Sequence, residues 1–206
     1  MPTRATSLQV LTTLNGDLRE QAWEVYHEAF RRLEVLAVQR HLMTRAEFDA
    51  VCADERVEKH LGVDDELDGR VCAFGTFTNH LAAIPLISEA YFAHRWPEHH
   101  AHGRVWYIGC LGVHPAYRGS GIFPRMVAHM CAVVGERGGV AGIDVCRHNE
   151  EELALPQLFG RLVDAAGAGA RLLRLDQQSY WAWEFPSPAG PGEDAGAALV
   201  RPRPGR

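Results

Sequence analysis

The chain has 206 residues, enough for one large domain or two very small ones, and a formal net charge of -5. Its 47% hydrophobic and 23% charged residues suit a globular protein with a core that needs no disulfide or structural metal. The acidic balance, with Lys59 as the sole lysine, argues against a nucleic-acid partner, because phosphate contacts need clustered Lys and Arg.

No apolar run approaches the ~18 residues of a membrane span, so no membrane association is expected. Met1 to Leu11 lacks the pattern of a secretory signal. Cys52, Cys72, Cys110, Cys131 and Cys146 are an odd count without a C-x-x-C pair. They read as reduced, mostly buried thiols of a cytoplasmic protein. A P-loop is excluded, since the chain has no Gly-Lys pair.

Leu8 to Leu14 reads as a first strand, closed by the turn Asn15-Gly16-Asp17. Leu18, Ala22, Val25, Ala29 and Leu33 recur at helical spacing and predict a helix to about Gln39. Thr44 followed by Glu47 is a capping box, so a second helix starts there and carries Phe48, Val51 and Cys52. Lys59 to Val63 and Arg70 to Thr78 form a predicted hairpin across the polar turn from Asp64 to Gly69. From His80 to Gly103 the pattern breaks. One short helix is expected within Pro85 to Arg95, and the His-rich run from Pro97 to Gly103 reads as irregular.

Val105 to Val113 is the most strand-like run. A glycine-containing turn and a helix carrying Met126, Val127, Met130, Val133 and Val134 follow, ended by Gly138-Gly139. Val140 to Cys146 is a further strand, Leu153 to Ala166 a helix, and Leu172 to Phe185 a long strand or a hairpin. Residues 1–186 make one domain on this reading. The Pro-, Gly- and Arg-rich residues 187–206 make a disordered tail.

The chemistry lies at Val105 to Phe123. A strand runs through His114-Pro115 into a turn with glycines at 119 and 121, then into a helix. Backbone N–H groups at such a helix N-terminus bind phosphate without lysine, and the glycines let the anion approach. A dinucleotide fingerprint would need Gly at 124, which is Pro124.

Leu111-Gly112-Val113-His114-Pro115-Ala116-Tyr117-Arg118-Gly119-Ser120-Gly121-Ile122 closely resembles the strand-to-loop signature of the GNAT acetyltransferase superfamily. The order of elements from Leu8 to Phe185 resembles that family as well. One position departs: Phe123 stands where the pattern has Gly or Ala. The resemblance implies an α/β fold of the α+β type, with a mixed, mostly antiparallel sheet, two splayed parallel strands and flanking helices. It implies acetyl-CoA as co-substrate and no metal. Arg118, Gly119, Ser120, Gly121, Ile122 and Phe123 would hold the pyrophosphate, and Leu111 and Val113 would pair with pantetheine. A backbone N–H near Cys110 or Leu111 would be the oxyanion donor. Asn149 matches an Asn often set beside the pantetheine arm. Helix capping is its competing reading.

The implied activity is transfer of an acetyl or other acyl group to a primary amine of a small molecule or peptide, by direct attack. The catalytic pair is less clear. Relatives often carry a Glu on the strand before the loop, and Val105 to Val113 has no carboxylate. Relatives often place a Tyr acid after the Asn, and none lies between Asn149 and Gly169. Tyr107 is the candidate acid, with Tyr91 or water in reserve. Glu89 is the candidate base, with Glu98 beside it. The alternative is a non-catalytic acyl-CoA-binding module that acts as a sensor or partner surface. The segment from His80 to Gly103 and the Arg40-His41 turn are expected to line the acceptor pocket. His94, His99, His100 and His102 have poor metal spacing and read as a loop or lid. Oligomeric state stays open, a homodimer included.

Overall fold

The structure is a computed structural model that describes residues 4–40, 42–85, 87–165 and 169–185. One five-stranded sheet runs in the order β1 (Thr6–Leu11), β2 (Glu58–Asp64), β3 (Arg70–Thr78), β4 (Val105–Val113) and β5 (Val140–Ile143). The first three junctions are antiparallel and the last is parallel. A parallel pair needs a long crossover, and α6 (Ile122–Glu136) supplies it.

Between β1 and β2 lie α1 (Gly16–Phe30), α2 (Leu33–Leu36) and α3 (Arg45–Ala53). Between β3 and β4 lie α4 (Glu89–Arg95) and α5 (Pro97–Ala101), and α7 (Arg147–Glu151) and α8 (Leu155–Ala165) follow β5. The helices cover both faces of the sheet. On one face Ala22, Val25 and Tyr26 of α1 and Phe48 of α3 meet Leu61, Val71 and Phe74. On the other, Val127, Met130 and Val134 of α6 meet Phe77, Trp106 and Ile108. A sheet covered on both faces explains why β3 reads as a near-continuous apolar run. At Gly62 a Cβ would lie 2.4 Å from Ile122, so that glycine sets how closely α6 approaches.

Most predicted elements form, with shifted ends. The helix expected to reach Gln39 stops at Phe30, because the chain turns back to bring the Met43 N–H onto the Tyr26 hydroxyl at 2.8 Å. The Thr44–Glu47 capping box is present, and Arg40 clamps Glu47 through both carboxylate oxygens. The Arg40 hydrogen bonds, followed by those of Thr44, hold the Glu47 carboxyl down to about 2. Lys59 is fully buried and donates to the Thr12 and Asp54 carbonyls at 2.7 and 2.6 Å. The His-rich stretch is helical where irregularity was expected: Pro97 sits in the first turn of α5, where its missing N–H is no loss.

Neither the long strand nor the hairpin expected from Leu172 to Phe185 forms, and residues 169–185 hold neither helix nor strand. Alternation is only half of a strand signal. Trp181, Trp183 and Phe185 remain largely exposed, with no ladder to bury them. The described residues fall into two compact units, one up to Arg174 and one from Leu175 onward. The tail expected over 187–206 lies outside the described residues. Among the described residues no helix is long and apolar enough to cross a membrane.

Candidate active site

The sheet is split at one place. β4 and β5 pair from Val105↔Val140 to Ile108↔Ile143, and then the ladder stops. On its other edge β4 carries a bulge at the same level: Thr76 pairs with Cys110 while Phe77 pairs with Ile108, so Gly109 is the extra residue. A bulge bends its strand and sharpens the local twist. Here it falls at the level where the β4–β5 ladder ends.

The bulge also decides which amides face the gap. The Cys110 N–H points towards β3, where the Thr76 hydroxyl accepts it at 3.1 Å. The His114 N–H likewise points that way, to the Cys72 carbonyl at 2.9 Å. Backbone groups alternate along a strand, so Leu111 and Val113 turn their N–H and C=O groups to the β5 side. Beyond Ile143 no strand among the described residues pairs with them there.

At the end of β4 the chain enters a 3₁₀ turn at Pro115–Tyr117, then the glycine turn, then α6. Gly119 has φ +83° and Gly121 φ +82°, a left-handed conformation that L side chains rarely adopt. Neither glycine has protein atoms within 4 Å of where a Cβ would stand. The turn spends the Ser120 N–H on the Tyr117 carbonyl. Among the described residues no turn bond takes up the Gly119, Gly121 and Phe123 amides, and the Ile122 N–H meets Ser120 Oγ at 3.4 Å. Fifteen residues of helix stand behind them. Phe123 does not block this cradle. Its ring packs edge-on against Phe159 of α8, 5.8 Å away, within the core under α6.

A split parallel pair opening onto a glycine-capped helix is the geometry that the sequence resemblance anticipates. A family model described as the acetyltransferase (GNAT) family matches residues 19–160. The chain belongs to the GNAT acetyltransferase family. A GNAT-family acetyltransferase from Listeria monocytogenes is 14% identical, over 75% of this chain and 84% of that one, with a TM-score of 0.50. A mutant of the BH1408 protein from Bacillus halodurans is 13% identical, over 87% of this chain and 99% of that one, also at 0.50. At such identities the likeness is one of fold. A comparison with curated proteins finds no match.

Within this GNAT framework Tyr107 lies next to the split. Its ring packs edge-on against Phe92 of α4 at 6.0 Å and passes over β5 at Gly142, where a Cβ would sit 3.0 Å away. Its hydroxyl donates to Asp144 Oδ1 at 2.8 Å. Burial first, then the Asp144 charge and this hydrogen bond, push the phenol well above its ordinary 10.0. Tyr107 is thus a reluctant acid whose proton is already directed at a carboxylate. Asp144 itself is exposed and lies one residue past the last β4–β5 pair. In the sequence it does not stand out as a site residue, since it sits inside the run from Val140 to Cys146 that reads as strand. A lone carboxylate in that apolar run is the signal that points to it.

Glu89 goes elsewhere. It opens α4 and holds His100 at 3.0 Å beside a cavity of about 190 Å³ shared with Asn79, His80 and Val105. Val105 pairs with Val140 at the end of the β4–β5 ladder away from Asp144, and Glu89 is held by His100 rather than by Tyr107 or Asp144. Glu98 lies in the first turn of α5. Tyr91 is 39% exposed. Asn149 is the third residue of α7 and half-buried. It caps no helix: Cys146 is the N-cap residue of α7. Arg40 lines a groove of about 530 Å³ between α1 and the start of α3, with Trp23, His27 and Leu42. His41 lies outside the described residues. Among the described residues no three His, Cys, Asp or Glu side chains are grouped to hold a metal ion.

Cys110 faces the α1 side, packed against the core there, with Thr76 Oγ1 3.5 Å from its sulfur. Burial pushes its thiol up to about 12.

Proposed function

We propose that the chain is an acetyl-CoA-dependent N-acetyltransferase acting on a primary amine. The observation that carries this reading is the coincidence of the β4–β5 split with the amide cradle at Gly119 to Phe123. In it, those amides bind the pyrophosphate, and Arg118 and Ser120 shape the turn. Pantetheine adds to β4 as an extra strand on Leu111 and Val113, with Asn149 beside the arm. The Leu111 N–H is the oxyanion donor, because the Cys110 N–H is already spent on Thr76.

Asp144 serves as base. The amine nitrogen attacks the thioester carbon, a C–N bond forms, and the carbonyl oxygen takes the charge at Leu111. Collapse breaks the C–S bond and sends the electron pair to sulfur. The ammonium proton passes to Asp144 and leaves through solvent, and the thiolate takes a proton from water. Tyr107 fixes the Asp144 carboxylate instead of feeding the thiolate directly.

Thiol release from acetyl-CoA across a panel of primary amines tests the reading. Amine-dependent release in the wild type, lowered by about 10²-fold or more in Asp144→Asn, is the expected result. Acetyl-CoA binding without turnover on any amine would leave the non-catalytic binding module as the function.

A further inference from the structure

The hydroxyl of Thr76 reaches into the backbone of the bulge. It sits on β3, 3% exposed, and accepts the Cys110 N–H at 3.1 Å. Across a regular ladder that N–H would bond a strand carbonyl. At the bulge two residues of β4 face Thr76 alone, so the regular alternation of partners is broken there, and an unpaired buried N–H is costly. Thr76 supplies the replacement acceptor. It also fills the space where Gly109 has no side chain: a Cβ there would stand 2.7 Å from Thr76 Oγ1. Hydroxyl and glycine fit each other, and together they set where the chain crosses from the paired half of β4 to the splayed half.

The direction of the Leu111 amide depends on that crossing. Leu111 follows Cys110 directly, and peptide planes are rigid. With the Cys110 N–H pinned to β3, the Leu111 N–H must aim into the split. We propose that Thr76 is a positioning residue for the transfer reaction. It holds the Leu111 N–H on the line where the thioester oxygen becomes an oxyanion. This rests on the acetyl-CoA reading above. Thr76 touches neither the pyrophosphate cradle nor the acceptor amine in that reading, so its effect falls chiefly on the chemical step, with the pyrophosphate contacts that anchor the cofactor unchanged. A donor misplaced by about 1 Å costs on the order of 10²-fold in rate, and outright loss of an oxyanion donor costs about 10²–10³-fold.

Thr76→Val keeps the shape and removes the acceptor, whereas Thr76→Ser keeps the acceptor and removes a methyl group. With acetyl-CoA carrying a 13C label at the carbonyl, the infrared stretch of the bound thioester reads the polarisation by Leu111 without any amine present. The expected result is a band shifted to lower frequency in the wild type and in Thr76→Ser. In Thr76→Val the band moves back towards the free value, at a coenzyme A affinity within about twofold of wild type. On an accepted amine, kcat should fall at least about tenfold in Thr76→Val and recover to within about threefold in Thr76→Ser. An unchanged band and kcat in folded Thr76→Val would overturn the role of Thr76 alone. A loss of rate matched by an equal loss of affinity would overturn it too, as it marks collapse of the whole site. Wild-type protein that binds no acetyl-CoA would overturn the cofactor reading beneath it.

Discussion

Cys110 is the side chain most easily mistaken for a nucleophile, since it lies on the strand that faces the split. Burial pushes its thiol up to about 12, so at pH 7 almost none is thiolate. His114, the nearest base in sequence, directs Nδ1 to the Ala116 N–H at 3.2 Å. Both facts support the proposed attack by the amine itself. Incubation with acetyl-CoA alone should leave the intact mass unchanged, and Cys110→Ala should keep turnover while losing about 1–2 kcal/mol of stability. A stoichiometric acetyl adduct that vanishes in Cys110→Ala would mean an acyl-enzyme. Tyr107 and Asp144 carry the opposite lesson. Tyr107 stood out in the sequence as the sole ionisable side chain within Val105 to Val113 other than Cys110. Its partner Asp144, 37 residues on, becomes a neighbour only through the parallel β4–β5 pairing. On the proposed roles, Tyr107→Phe should slow turnover by about tenfold and Asp144→Asn by clearly more, measured as kcat on one amine. Equal losses would return the acid role to Tyr107.

At the level of elements, the β4–turn–α6 unit was legible because its signals are local. Each glycine answers to a backbone angle, and the helix follows at once. Gly121 has φ +82° and open space around its Cα. A side chain there is opposed by backbone strain and by the ligand, not by a protein clash. Gly121→Val should therefore lower coenzyme A affinity by 10²-fold or more in calorimetric titration, with thermal stability falling by only about 1–3 kcal/mol. An unchanged affinity would remove the cradle from the binding site. The bulge at Gly109 was not legible, because it exists only in the pairing with Thr76 across more than thirty intervening residues. Helix ends were missed for a similar reason: α1 stops where Tyr26 recruits Met43, and nothing within residues 31–39 announces it. The segment from Leu172 to Phe185 failed the other way. Its apolar pattern is local and strong, yet a strand needs an edge to pair with.

Across the whole molecule, α6 joins the cofactor cradle to the sheet, and its midpoint rests on a cluster of titratable groups. His60 of β2 is fully buried, with its ring centroid 5.4 Å from that of His129 on α6. His60 Nε2 lies 3.2 Å from Glu58 Oε2, and Nδ1 has no partner among the described residues. Glu136 and Arg137 at the end of α6 also act on this cluster electrostatically. His129 is itself exposed; the partial loss of water where its ring meets β2, then the neighbouring His60, hold it below its ordinary 6.5, so the folded protein favours the neutral imidazole. The unfolded chain therefore binds the proton more readily, and folding stability must fall as pH drops through 6.5 towards the lowered folded value. Glu58 adds a second step lower down. The His60 hydrogen bond holds it below its ordinary 4.5, so the stability it contributes is lost as pH falls from about that value. The melting temperature should thus be flat between pH 7 and 8 and decline from about pH 6.5 downward, with a further decline below about 4.5. His129→Gln removes the charge that acid would place against His60. It should flatten the upper step while leaving the lower one, in thermal melts at matched ionic strength. An upper step as steep in His129→Gln as in the wild type would assign it to another group.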